Sequence, residues 1–428
     1  MTVGLFSVGV ALAGTHTSSV EPILRQLRIE ELSKPVLAFD IANGSDLAAA
    51  ALSDLHVRVW RLSSGQLVHE FSFSEPPTDQ NLKLENEVEP ISLHFSPDGK
   101  TLGVAFLNAI YLYNVETWEE KKRLSVEGED RLRPDITATS ERPQLKPRTA
   151  EQAQTQSEQP ISDINQRMRK WAAERHQGDG RTRISDFTFA RGEQLVLASY
   201  CRGACWVWPG VRRDRFPSGR DPVRLWNARS AKTIWENAYD PKGVISGVVP
   251  LPDGNRFLAV NSQLGRCAVG GFDMDTGQSL WSHSIGPCDQ PPSILVLPDG
   301  LSFITNRVDE ANRENRKKKL WRYAAIYETS TGKKKANFPE ADGISAADIS
   351  SDGHWLAAIV WKGTQFQIWD LQAKKVVLRA IPKGWKRTAD CVLNRVQLSP
   401  DNRWLVVGCN ERGDMAVYEW GKENISKP

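Results

Sequence analysis

The stretch SSDGHWLAAIVWKGTQFQIWD, residues 350–370, decides how this chain folds. It opens on the turn sequence Ser350-Ser351-Asp352-Gly353, in which Asp bonds its own backbone and Gly accepts a positive φ. An apolar run follows, and after a polar break the residues Phe366–Asp370 alternate as a β-strand does. The stretch therefore predicts a turn followed by two antiparallel strands.

The same unit recurs seven times along the chain, which predicts seven four-stranded sheets. Its first turn is found at Ala42–Ser45, Ser96–Gly99, Ala190–Gly192, Leu251–Gly254, Leu297–Gly300, Ser350–Gly353 and Ser399–Asn402. Its third strand is found at Val57–Trp60, Ile110–Tyr113, Val223–Trp226, Val269–Asp273, Ala325–Tyr327, Phe366–Asp370 and Met415–Tyr418. Because apolar residues alternate along these strands, we expect one face to be buried against the next sheet, with the terminal aromatic residue packed between sheets.

The turn sequence followed by a strand that ends in Trp369-Asp370 resembles the WD40 repeat, over roughly residues 34–420. The resemblance is to a degenerate form of the bacterial, exported type: the Gly-His pair that opens many WD40 blades is absent, and only one third strand ends in Trp-Asp. It implies an all-β, seven-bladed β-propeller that acts as a scaffold for protein partners. Asp273-x-x-Thr276-Gly277 followed by Trp281 resembles a quinoprotein-type blade and indicates the same architecture, without implying a quinone cofactor.

We expect the domain to span residues 21–428, preceded by a signal-like or disordered N-terminus at 1–20. The last repeat ends near Trp420 without a fourth strand, so residues 23–30, with Leu24, Leu27 and Ile29, are predicted to supply it and close the ring. Residues 126–182, rich in polar residues and proline, are predicted to be a largely disordered insertion. The predicted blades span approximately 34–73, 88–125, 183–237, 243–286, 290–340, 342–381 and 392–420.

The six cysteines fall into three local pairs, which favours disulfide bonds and an oxidising compartment. The predicted disulfides join Cys201 to Cys205, Cys267 to Cys288 and Cys391 to Cys409. Residues 3–13 are apolar and contain Ala11-Leu12-Ala13, a pattern typical of a signal-peptide cleavage site. We therefore expect a periplasmic or secreted protein; six free thiols would favour the alternative, a cytoplasmic scaffold. No apolar run is long enough to span a bilayer as a helix.

Two insertions between second and third strands combine basic and aromatic residues, the types enriched at binding hot spots. Their predicted partner-binding residues are Trp206, Trp208, Arg212, Arg213, Arg215, Arg316, Lys317, Lys318, Lys319 and Trp321. We expect a monomer that binds an acidic protein partner; the alternative is a solvated loop tip with no partner. The net charge of +3 does not favour nucleic acid.

The sequence contains none of the common catalytic motifs, so we expect no catalytic, metal or cofactor site. His56, His94 and His354 lie in or beside predicted strands, which favours structural roles. The alternative is a propeller enzyme, a lyase or hydrolase acting on a small molecule or saccharide. Such an enzyme gathers carboxylates or histidines from several blades around the central channel, a constellation that residue spacing does not reveal.

Overall fold

In a computed structural model, the chain forms a ring of seven antiparallel sheets, and the predicted seven-bladed β-propeller is confirmed. The residues that the structure describes are 23–32, 34–73, 91–126, 136–138, 182–202, 222–238, 244–263, 266–287, 294–308, 322–337, 344–360, 365–385, 392–409 and 412–421. The predicted N-terminal segment 1–20 lies outside these residues, as does most of the predicted insertion 126–182.

Each blade has four strands, which are numbered here in chain order. Strand β1 (Ile23–Glu31) precedes the first blade. Blade 1 contains β2 (Val36–Ile41), β3 (Leu47–Leu52), β4 (His56–Arg61) and β5 (Leu67–Phe73), and blade 2 contains β6 (Ile91–Phe95), β7 (Thr101–Phe106), β8 (Ala109–Asn114) and β9 (Glu120–Ser125). A further strand, β10 (Ile136–Ala138), pairs with β5 and gives blade 1 a fifth strand.

Blades 3 to 7 follow the same order. Blade 3 contains β11 (Thr182–Ala190), β12 (Leu195–Arg202), β13 (Pro222–Asn227) and β14 (Thr233–Ala238), and blade 4 contains β15 (Val244–Pro250), β16 (Arg256–Gln263), β17 (Arg266–Asp273) and β18 (Ser279–Pro287). Blade 5 contains β19 (Ile294–Val296), β20 (Ser302–Val308), β21 (Arg322–Glu328) and β22 (Lys334–Asn337), and blade 6 contains β23 (Ile344–Ile349), β24 (Trp355–Val360), β25 (Phe366–Asp370) and β26 (Lys375–Ala380). Blade 7 contains β27 (Arg395–Leu398), β28 (Trp404–Cys409) and β29 (Asp414–Gly421).

Strand β1 closes the ring as the fourth strand of blade 7. It runs antiparallel to β29, from Ile23 opposite Gly421 to Glu31 opposite Asp414. The predicted closure by an N-terminal strand is therefore confirmed. Gly413 permits the chain after β1 to approach the turn before β29 closely, because it has a φ of 72° and a Cβ there would lie 2.3 Å from the Lys34 carbonyl oxygen.

The hydrophobic core lies between blades rather than within them. The aromatic residues that end the third strands pack against the preceding blade: Tyr113 meets Phe71 of blade 1 at 4.6 Å between ring centroids, and Tyr418 meets Phe366 of blade 6 at 5.4 Å. The predicted inter-blade packing is thus confirmed. For β25 the structure shows more burial than the single buried face expected, since all five of its residues are buried. The reason is that each sheet in the ring has a neighbouring sheet on both sides.

Tryptophans on two fourth strands dock onto a turn of the next blade. The Trp235 indole N–H donates to the Met274 carbonyl at 2.8 Å, and the Trp281 N–H donates to the Thr329 carbonyl at 3.0 Å. Each indole also lies against a glycine of positive φ, Gly277 and Gly332 respectively. The sequence pattern singled out Trp281, and Trp235 occupies the same place one blade earlier.

Candidate functional site

The two faces of the propeller carry different connections. Tight turns join the first strand to the second in all seven blades and the third to the fourth in blades 1 to 6, and they share one face, named here the turn face. The connections from second to third strands, and from one blade to the next, belong to the opposite face, named here the loop face. The longest of these are residues 74–90, 126–181, 203–221 and 309–321, and the second of them includes β10.

Neighbouring turns on the turn face are hydrogen-bonded to one another. The Asn43 side chain donates to the Pro97 carbonyl at 2.7 Å, and the Ser351 N–H donates to the Asn402 side chain at 2.9 Å. The Arg191 side chain donates to the Gly254 carbonyl at 2.8 Å. These bonds tie the turns of adjacent blades together, which favours a structural role for this face.

The predicted partner-binding residues all belong to two connections of the loop face, 203–221 between β12 and β13 and 309–321 between β20 and β21. Every one of them lies outside the described residues, so their role stays a prediction. These are Trp206, Trp208, Arg212, Arg213, Arg215, Arg316, Lys317, Lys318, Lys319 and Trp321.

The described residues contain one end of each predicted cysteine pair. Cys267 lies on β17 and Cys409 on β28, both are buried, and both are disulfide-bonded. Cys201 lies on β12, whereas Cys205, Cys288 and Cys391 lie outside the described residues. The pairing of the six cysteines therefore stays a prediction.

Polar side chains converge on the central channel from the first strands of several blades. One register position of the first strands lies two residues before the turn residue whose N–H bonds to the second strand. In four blades it is occupied by Asp40, His94, Asp348 and Gln397. Asp186 lies two residues further from the turn, on the first strand of blade 3. We call these five residues the channel network.

His94 lies between two carboxylates of the channel network. Its Nδ1 is 3.8 Å from Asp40 Oδ2 and its Nε2 is 3.7 Å from Asp186 Oδ1. Burial opposes a charge on the imidazole, but Asp186 and Asp40 together outweigh it and raise the pKa of His94 above its ordinary value. The side chain is 39% exposed, so it faces the channel rather than a packed core. The sequence analysis assigned His94 a structural role and did not identify these partners.

Two more charged groups of the channel have shifted pKa values. Burial raises the pKa of Asp348 to about 7, and the charge of Asp40 adds to this, although N–H groups of Leu398 and Ile349 favour the carboxylate. Burial also lowers the pKa of Arg395 to about 10, against the attraction of Asp40. Carboxylates and a histidine with shifted pKa values, such as Asp348 and His94, resemble the acid–base pairs of catalytic sites.

The carboxylate oxygens of the channel network already accept hydrogen bonds from neighbouring blades. Asp40 Oδ2 accepts from the Phe95 N–H at 2.7 Å, and Asp348 Oδ2 accepts from the Leu398 N–H at 2.8 Å. Asp40 Oδ1 accepts from its own neighbour Ile41 and from the Gln397 amide. Within the described part of the chain, no group of three or more His, Cys, Asp or Glu side chains has the geometry to hold a metal ion.

Two arginines of the third strands brace neighbouring blades. Arg58 pairs with Glu70 at 2.8 Å and donates to the Leu32 carbonyl of the preceding blade at 3.1 Å. Arg224 occupies the same place in blade 3, where it pairs with Glu236 and donates to the Val126 carbonyl at 3.0 Å. These buried or half-buried arginines are therefore engaged within the ring and contribute to its closure.

No protein-family model matches the chain, and no curated protein matches it either. Among the described residues, no helix has the length and apolar character needed to cross a bilayer.

Proposed function

We propose that this protein is a non-catalytic scaffold that binds a protein partner through the loop face of its propeller. The observation that carries the proposal is the difference between the two faces. The turns of one face are short and bonded to each other, whereas the long connections, with the basic and aromatic residues, all belong to the other. Repeat proteins place their insertions on the binding face, because loops change without disturbing the scaffold.

The proposed partner carries an acidic surface. Arg316 to Lys319 form a run of four basic residues in the connection between β20 and β21. Clustered arginine, lysine and tryptophan suit an acidic protein surface, and the small net charge of the whole chain argues against nucleic acid as the ligand. We propose that the protein acts as a monomer, since nothing in the binding scheme needs a second copy.

The test is a charge reversal on the loop face. Lys317→Glu with Lys318→Glu should reduce capture of the native partner from an extract of the producing cells, because two attractive charges become repulsive. Lys374→Glu with Lys375→Glu is the matched control, since Lys374 ends the turn between β25 and β26 on the turn face, Lys375 begins β26, and both are exposed. Equal loss from both variants, or from neither, would remove the basic loop from the proposal.

We propose that the protein belongs to the WD40-like propellers and works outside the cytoplasm, in the periplasm or as a secreted protein. The pairwise spacing of six cysteines and the signal-like N-terminal segment support an oxidising compartment. Mass spectrometry of the native protein after alkylation, with and without reduction, tests this. Six thiols alkylated without reduction would assign it to the cytoplasm.

A second candidate function is catalysis in the central channel by a lyase or hydrolase. The observation that favours it is the convergence of His94 with Asp40 and Asp186. It is the weaker candidate, because the oxygens of Asp40 are engaged in bonds between blades. Turnover of a saccharide or lactone that is lost in His94→Gln, with the fold retained, would favour the enzyme over the scaffold.

A further inference from the structure

A series of first-strand contacts links six of the seven blades around the channel. The series begins in blade 6, where Asp348 accepts from the Leu398 N–H of blade 7 at 2.8 Å, and Gln397 of blade 7 donates to Asp40 of blade 1. Asp40 in turn accepts from the Phe95 N–H of blade 2 at 2.7 Å. His94 of blade 2 lies 3.7 Å from Asp186 of blade 3, which accepts from the Val248 N–H of blade 4 at 3.4 Å. Blade 5 has Leu295 at the equivalent position. The links of this series are therefore made by titratable side chains at almost every step.

His94 is the one member of the series whose link depends on a proton. Asp40 faces it from β2, Asp186 from β11 and Arg395 from β27, while Asp348 of β23 lies near Asp40. The edge of the Phe187 ring also contacts the imidazole, with centroids 5.2 Å apart. A protonated imidazole is attracted to both carboxylates, so it joins blade 1 to blade 3 across blade 2, whereas a neutral imidazole offers a single N–H donor and leaves one of the two carboxylates without it.

We propose that the channel network is a proton-dependent lock that tightens the propeller at mildly acidic pH and loosens it at alkaline pH. The lock acts at the inner edge of blades 1 to 4, where the Phe95 N–H bonds to Asp40 and the Val248 N–H approaches Asp186. Because the channel side chains are reached by solvent, protons exchange with them without unfolding.

The direction of the effect follows from linkage. A group whose pKa is higher in the folded protein stabilises the fold below its unfolded pKa, and this stabilisation is lost as the pH rises through the folded pKa. The pKa is raised in His94, in Asp40 and, to about 7, in Asp348. His94, whose pKa is raised from about 6.5, and Asp348, whose pKa is raised to about 7, therefore make the fold more stable at about pH 6 than at about pH 8. His69, outside the channel, has a lowered pKa and acts in the opposite direction, so only variant comparisons isolate the lock.

The experiment compares His94→Gln with His56→Gln. His56 is a matched control, because its Nδ1 lies 3.3 Å from Asp54 and its strand β4 is separated from the first strand β2 by β3. The melting temperature of the wild type and of His56→Gln should change with pH between about 6 and 8 by the same slope, and His94→Gln should shift that slope upward, towards greater stability at pH 8 relative to pH 6. An unaltered slope in a folded His94→Gln variant would overturn the proposal.

A second measurement does not depend on how the variant folds. Titration of the wild type by NMR should give His94 a pKa above 6.5, and Asp186→Asn should lower it by removing one carboxylate. Hydrogen exchange at the Phe95 amide, corrected for the intrinsic pH dependence, should show less protection at pH 8 than at pH 6. A His94 pKa at or below 6.5, or equal protection at both pH values, would mean that the channel is a fixed structural feature.

Discussion

The contact between Trp281 of blade 4 and Gly332 of blade 5 predicts a strong energetic coupling between these residues. A Cβ on Gly332 would lie 2.4 Å from the indole of Trp281, and Gly332 has a φ of +68°. Gly332→Ala should therefore cost about 1–2 kcal/mol for the left-handed backbone and roughly 1–3 kcal/mol more for the overlap with the ring. In a Trp281→Ala background the overlap disappears and only the backbone cost remains.

The expected coupling is thus about 1–3 kcal/mol, measured as a double-mutant cycle by urea unfolding. Trp281→Ala alone should destabilise the protein by about 2–4 kcal/mol, because it removes the hydrogen bond to Thr329 and the packing on Phe303, with ring centroids 6.2 Å apart. His283 also lies close to the new Cβ but is exposed and is expected to move aside. If Gly332→Ala costs the same in both backgrounds, to within about 0.5 kcal/mol, the docking of Trp281 on this turn does not define the contact between blades.

Three further changes test other parts of the ring. Asp348→Asn should lower the free energy of unfolding by about 1–3 kcal/mol at pH 5, because both side-chain oxygens of Asp348 accept backbone N–H groups and the amide retains one acceptor. Chemical denaturation should show a smaller loss at pH 9, because Asp348 has a pKa of about 7 and the wild type then carries a buried charge. Burial lowers the pKa of His69, so the contribution of His69 to the free energy of unfolding should fall as the pH drops below about 6.5, and His69→Phe should be more stable at acidic pH relative to neutral pH than the wild type in a pH series of melts. Gly103→Ala should cost about 1–3 kcal/mol in urea unfolding, since its Cβ would lie 2.7 Å from the Phe187 ring, and a neutral result would mean that blade 3 shifts freely against blade 2.

The number of blades and the closing strand follow from the sequence because each depends on local patterns. A turn such as Ser96–Gly99 has its own backbone chemistry, and the Asp98 side chain accepts from the Ser96 hydroxyl at 2.6 Å and the Lys100 N–H at 3.0 Å. The closing strand could be predicted because blade 7 lacked a partner for its outer edge. The fifth strand of blade 1 could not, since Ile136–Ala138 has no alternation long enough to indicate a strand.

The channel network was not predicted from the sequence, because its members are far apart in the chain. His94 and Asp186 meet at 3.7 Å although about ninety residues separate them, and the insertion between blades 2 and 3 hides their common place in the repeat. A signal was nevertheless present: Asp40, His94 and Asp348 stand at one register position before the turn, where a purely structural first strand needs no charge. Aligning the seven repeats on their first turns places these three residues at one position of the repeat, and so indicates from the sequence that they share the channel.

The same geometry that makes the channel look catalytic argues for a function elsewhere on the propeller. A general base needs a lone pair directed at its substrate, yet the Asp40 oxygens accept hydrogen bonds from Phe95, Ile41 and Gln397. The bonds from Phe95 and Gln397 each join two blades. A substrate that claimed such a carboxylate would have to break a contact between blades, at a cost of about 1–3 kcal/mol for each donor left buried without a partner. The partner-binding residues proposed for the loop face belong to the connections 203–221 and 309–321 and include none of these carboxylates. The proposed scaffold function therefore does not require the hydrogen bonds of the channel network to break, whereas the second candidate function, catalysis in the channel, does.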